Sequence, residues 1–233
     1  LSRKDRFEPE LFEKTKPEDL YRNIPDYMEI EEKFDVRSTF FFRTFYENGD
    51  VLDYENDIER LQKSNWEIGL HTDPSSIDDL DKIRQEKEKL ESITGKQIVG
   101  NRVHYLNYNS GLLEKLEKLG FSYDSSLRYS KDRIDKKEMG YSRIHGIVEF
   151  PVTLMDAYLF TYMKIKEEKI ISEFQKTLDL GRSISENNVI SVLWHDNVLK
   201  MKGGRMYKQI LEFLTSQDDV EIKSGIDLVK ILK

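Results

Sequence analysis

The sequence predicts an α/β fold, a parallel sheet covered by helices. Two observations carry this. From Val36 onward, short β-branched and aromatic runs alternate with longer runs of helical period. The chain of 233 residues also suits one domain with a sizeable core. A barrel and an open doubly wound sheet both satisfy this alternation.

The elements follow in order. Leu1 to Pro25 is charged and interrupted by Pro9, Pro17 and Pro25, which predicts an irregular N-terminal arm over 1–25 and one domain over 26–233. Val36–Phe42 (VRSTFFF) reads as a buried strand. Tyr54–Ser64 is helical, with Ile58 and Leu61 on one face. Trp66–Leu70 (WEIGL) is the next strand. Ser76 is a candidate N-cap, with Asp79 three residues on, for a helix that runs to Thr94 and stops at Gly95. Lys96–Val103 reads as a strand, Ser110–Leu119 as a helix closed by Gly120, and Phe121–Asp124 as a short strand. Ser125–Gly146 has no clear period and reads as a long loop. Ile147–Thr153 is a strand. Lys166–Glu186 is a helix, with Ile170, Phe174 and Leu178 along one stripe. Val189–Trp194 is strongly β-forming, Gly204–Thr215 is helical, and Val220–Lys223 and Gly225–Leu232 read as a last strand and helix.

Composition narrows the function. Thirty-seven basic against 44 acidic residues give a net charge of −7, which argues against a nucleic-acid binder. No apolar run reaches the roughly 20 residues of a membrane span. With no cysteine, disulfides and thiolate metal sites are excluded, and a cytoplasmic location is the default expectation. Gly-rich phosphate loops, G-x-S-x-G elbows and HExxH are absent. The sequence does not fix an oligomeric state.

Three of the four histidines stand at predicted strand ends: His71 after WEIGL, His104 after IVGNRV and His195 after VISVLW. Parallel α/β folds build their sites at the carboxyl ends of strands. Imidazole suits both proton transfer near neutrality and zinc ligation. Arg102, two residues before His104, offers a fork for a carboxylate. Asp124 ends its own strand and can orient an imidazole or bind a hydroxyl. Tyr105, Tyr108 and Trp194 flank these positions, where an aromatic face can stack on a sugar ring or simply belong to the core. His145 reads as a surface residue.

Five segments in order resemble the polysaccharide deacetylases: Ser38–Phe41, Glu67–Thr72 (EIGLHT), Gly100–Tyr105 (GNRVHY), Gly120–Ser126 (GFSYDSS) and Leu193–His195 (LWH). The resemblance implies an irregular (β/α) barrel of about seven strands. It also implies metal-assisted hydrolysis of acetyl groups from an N-acetylated carbohydrate. In that scheme His195 is the general acid, Arg102 and Asp124 are supporting catalytic residues, and Tyr105 and Trp194 contact substrate. His71 and His104 would ligate a divalent metal, zinc by expectation.

Three departures from the family pattern stand out. No strand ending in adjacent aspartates precedes Val36, so the first barrel strand is expected to be missing from this chain. Ser75 stands where a second metal histidine is usual, which weakens the expected zinc site. His104 replaces the proline of the arginine segment. These departures keep open an alternative, a catalytically inactive deacetylase-fold module that binds a glycan or a protein.

Overall fold

The computed structural model describes residues 4–46, 49–185 and 188–232. Three helices open the chain: α1 (Pro9–Lys14), α2 (Pro17–Tyr21) and α3 (Ile24–Lys33). They are followed by β1 (Thr39–Phe42), β2 (Phe45–Tyr46), β3 (Gly49–Asp50), α4 (Glu55–Lys63) and β4 (Glu67–Thr72). Next come α5 (Leu80–Thr94), β5 (Gly100–Val103), α6 (Leu112–Lys118) and β6 (Tyr123–Asp124). Then β7 (Ser142–Ile144), β8 (Ile147–Glu149) and β9 (Val152–Met155) precede α7 (Ile170–Arg182), β10 (Ser191–Leu193), α8 (Tyr207–Thr215) and α9 (Gly225–Ile231).

The described chain clusters into two compact units, one of residues 1–36, 130–139 and 153–222, the other of residues 37–129, 140–152 and 223–233. The second unit holds a six-stranded sheet in the order β1-β4-β5-β6-β8-β7. Every neighbouring pair is parallel except β7 with β8. Parallel strands need crossovers, and α4, α5 and α6 supply them. The apolar stripe of each helix is buried: Ile58 and Leu61 on α4, Ile83 and Leu90 on α5, Leu112, Leu113 and Leu116 on α6. Gly95 closes α5 in the left-handed conformation, with φ of 63°, where a side chain would be strained. Gly100 has no room for a Cβ because the Tyr123 ring lies against it.

The first unit is built on α7 and α8. Leu154, Leu159, Ile170, Phe174, Leu178, Met206, Ile210 and Leu214 form its buried cluster. β9 and β10 pair in a two-stranded sheet.

Four elements differ from the sequence reading. The irregular arm predicted over 1–25 is largely helical, and Phe7 and Leu20 are buried with Met201. Asp79, not Ser76, caps α5, accepting from the amides of Asp81 and Lys82. Ser76 is buried instead, with its hydroxyl on Glu86. Residues 220–223 form no strand, and the loop predicted over 125–146 contains β7 and a single helical turn at Lys136–Glu138.

Candidate functional site

Each predicted site residue is found at a strand end, and the residues fall into two groups, one in each unit. In the second unit, His71 on β4 and Arg102 on β5 are register partners, and His104 follows β5 directly. His71 Nδ1 lies 2.8 Å from the Arg102 carbonyl oxygen, and His71 Nε2 lies 3.1 Å from His104 Nδ1. A carbonyl can only accept, so His71 Nδ1 carries a proton. In a neutral ring its Nε2 then accepts from His104 Nδ1–H. The two rings meet edge to face with centroids 5.0 Å apart. Tyr105 stacks on His104 at 3.9 Å, yet its side chain is 77% exposed. Its φ of 61°, followed by 55° at Leu106, is a strained turn for non-glycine residues.

The sequence reading expected Arg102 to hold an aspartate. In the structure its Nε and Nη2 donate to the carbonyl and hydroxyl oxygens of Ser125, at 3.0 and 2.7 Å, and its guanidinium lies over Phe41. Burial pulls its pKa down to about 10.

Asp124 is fully buried and supports the site from beneath. Its Oδ1 accepts from Asn101 Nδ2 at 2.6 Å and from Ser126 Oγ at 2.8 Å, and its Oδ2 accepts from the Ser126 amide. Ser126 Oγ in turn accepts from the Val103 amide. The Tyr-Asp-Ser-Ser segment is thus a clamp on the end of β5, and Asp124 acts through other residues rather than touching a ligand. Burial, with Glu149 and Asp124 close by, pushes the Tyr108 phenol up to about 12.

In the first unit, His195 Nδ1 lies 2.7 Å from Asp156 Oδ1, and the His195 amide donates to Asp156 Oδ2 at 3.1 Å. Asp156 is buried, whereas the His195 side chain is 38% exposed. The Tyr27 hydroxyl donates to the His195 carbonyl at 2.9 Å, and Asn23 Nδ2 donates to the next carbonyl, that of Asp196. Burial, followed by the negative charge of Asp156, keeps the Tyr27 phenol well above its usual range, so it remains a donor. The carboxylate bonded to His195 is therefore Asp156, which the sequence reading missed in favour of Asp124. Trp194, expected to contact substrate, packs against Phe160 and Tyr207 and donates its indole N–H to the Gly204 carbonyl. These contacts hold a partly buried ring against the buried cluster of the first unit.

Comparison with known proteins agrees with this architecture. The polysaccharide deacetylase family model matches residues 15–123. A protein assigned as a polysaccharide deacetylase in Mycobacterium smegmatis superposes with a TM-score of 0.70 at 20% identity, over 91% of this chain and 77% of that one. The polysaccharide deacetylase of Bacillus cereus does so at 0.57 and 14%, over 87% and 85%. A CE4 family pseudoenzyme from Bacillus anthracis gives 0.59 and 11%, over 89% of this chain but only 60% of its own length. No curated protein matched the chain in sequence. Residues 15–123 are thus similar to the polysaccharide deacetylase family, and the chain shares the α/β fold, with its parallel-strand sheet, of the deacetylase-type barrel structures.

The family implies a divalent metal, and a catalytic zinc needs about three protein donors. Among the described residues, no three His, Cys, Asp or Glu side chains form a group that could hold one. His71 and His104 are two donors, engaged with each other. At the position expected to carry a further histidine, Ser75 binds Asp73 Oδ1 through both its amide and its hydroxyl, and Asp73 Oδ2 accepts from Arg43. The described residues do not fit the expected zinc site.

Proposed function

We propose that the chain is an amide hydrolase that removes acetyl groups from an N-acetylated carbohydrate. The Asp156–His195 pair carries this reading. A buried carboxylate fixes Nδ1 of a half-exposed imidazole, and both backbone groups of the histidine are tied down. That is the arrangement a general acid requires: a fixed ring and a carboxylate favouring its charged form. In the reaction, water adds to the acyl carbon, and His195 Nε2–H protonates the leaving amine as the acyl C–N bond breaks to give acetic acid and the free amine. The proton lost by the added water restores the imidazolium, which Asp156 stabilises. In the second unit, taken by itself, Tyr105 is exposed beside His104 and offers an aromatic face on which a sugar ring can stack. The similarity of residues 15–123 to the polysaccharide deacetylase family supports the substrate class.

One observation favours a second reading, a deacetylase-fold module that binds a glycan without hydrolysing it. His71 and His104 are bonded to each other and Ser75 is committed to Asp73, so the donor set stops short of a metal site. A relative described as a pseudoenzyme shares the fold. Measuring acetate release from acetylated amino-sugar oligomers, beside equilibrium binding of the same oligomers, separates the two. Release above the rate without protein supports the hydrolase. Saturable binding without release supports the module.

A further inference from the structure

A row of side chains crosses the sheet of the second unit at the level of the histidine pair. Leu70, Asn101, Asp124 and Glu149 are successive register partners on β4, β5, β6 and β8. Three of the four are polar, and all of these are fully buried. Thr72, two residues beyond Leu70 and also buried, donates to Asn101 Oδ1 at 2.5 Å, and Asn101 donates to Asp124. The row therefore runs from Thr72, next to His71, through Asn101 and Asp124 to Glu149.

Glu149 is the anomaly in this row. It interrupts an apolar strand between Val148 and Phe150, where a carboxylate is costly to bury. Its Oε1 accepts from the Leu127 amide at 3.0 Å, but its Oε2 is buried with no donor facing it. Its neighbour on β6 is Asp124, whose two oxygens already accept from Asn101 and Ser126. Two ionised carboxylates side by side in a dry interior would repel, whereas one proton between them turns repulsion into a hydrogen bond. The donors on Asp124 require it to be the acceptor, which leaves Glu149 as the acid.

We propose that Glu149 is a positioning residue, a neutral carboxylic acid whose Oε2–H donates to the Asp124 carboxylate and anchors the row that seats His71. The other charged or titratable groups that act on the pair are Arg102 on β5 and Tyr108 after it. Arg102 favours charge on either carboxylate, so the choice between them rests on the donors already bound to Asp124. Burial first, and then the negative charge of Asp124, raises the Glu149 carboxyl well above the ordinary range. A raised acid stabilises the fold fully below its unfolded pKa of about 4.3, and that stability is lost as pH rises through the folded value.

Glu149→Gln tests this, because an amide keeps a donor at this position and carries no charge at any pH. Of the change in wild-type melting temperature above pH ~4.3, Glu149 should account for a fall of roughly 3 °C per pH unit until the folded acid ionises. The Gln variant should match the wild type at pH 4, lose this fall, and melt at or above the wild type at pH 8. By NMR, the ring signals of His71 and His104 should stay in place in Glu149→Gln. They should move in Thr72→Val, which cuts the far end of the row without touching the acid pair. A Gln variant that is unfolded, or destabilised as much at pH 8 as at pH 4, would overturn the assignment of the proton. Histidine signals unmoved by Thr72→Val would overturn the positioning role.

Discussion

His195 and Trp194 are adjacent and have opposite surroundings. The indole is packed among Phe160 and Tyr207 and spends its N–H on a backbone carbonyl, while the imidazole is half exposed on a buried carboxylate. Trp194→Ala should therefore cost about 3 kcal/mol of stability, read from chemical denaturation, because it leaves a cavity. Tyr105→Ala should change stability by less than about 0.5 kcal/mol, since the side chain projects into solvent, yet weaken binding of acetylated oligomers. Unchanged oligomer affinity in Tyr105→Ala would remove that ring from glycan binding. The sequence alone assigned both aromatics to substrate, because proximity to a histidine does not show which way a side chain faces. Asp156 was invisible for a related reason. It follows an apolar strand, 39 positions from His195, and no local spacing links the two. Glu149 was hidden inside an apolar run, where a lone acid carries no pattern.

At the scale of elements, most strands and helices were legible because period and β-branching report burial directly. The N-terminal helices were not. Pro9, Pro17 and Pro25 read as breakers, but each stands in the first turn of a helix, where the missing amide is not needed. The arm thereby becomes functional structure, since α3 supplies the Tyr27 hydroxyl that holds the His195 carbonyl. The start of α5 gives another test. Ser76 satisfied a capping pattern on paper, but Asp79 takes the free amides. Asp79→Ala should cost about 1 kcal/mol in urea melts. An equal or larger loss in Ser76→Ala would reflect its buried bond to Glu86 rather than a cap.

For the molecule as a whole, the two units carry different acids. The second unit holds acids raised chiefly by burial, Glu67, Glu86, Asp124 and Glu149, beside the lowered acids Asp50, Asp73, Glu114 and Asp227. In the first unit, Glu29, Asp135, Glu167 and Asp219 are lowered. Raised and lowered acids act with opposite signs. Raised acids lose stability as pH climbs through their folded values, whereas a lowered acid contributes above its unfolded pKa and loses that contribution as pH falls. Each unit holds one tryptophan, Trp66 in the second and Trp194 in the first. With Trp194→Phe, the remaining fluorescence reports the second unit, and its thermal midpoint should fall between pH 5 and pH 8. With Trp66→Phe, the first unit should hold its midpoint over that range. Equal slopes in both variants would contradict this division of charge.

The fold is shared with a deacetylase structure over 91% of the chain, but the proposed chemistry rests on one imidazole and the carboxylate behind it. The most direct measurement is acetate release by the wild-type chain and by His195→Ala, with melting temperature taken on the same preparations. The account predicts a drop in turnover of roughly 10²-fold or more with only a modest fall in melting temperature, because buried Asp156 keeps the His195 and Ala157 amides as donors when the ring is removed. A clear loss of melting temperature with acetate release per folded molecule intact would contradict it, and would make His195 a structural residue.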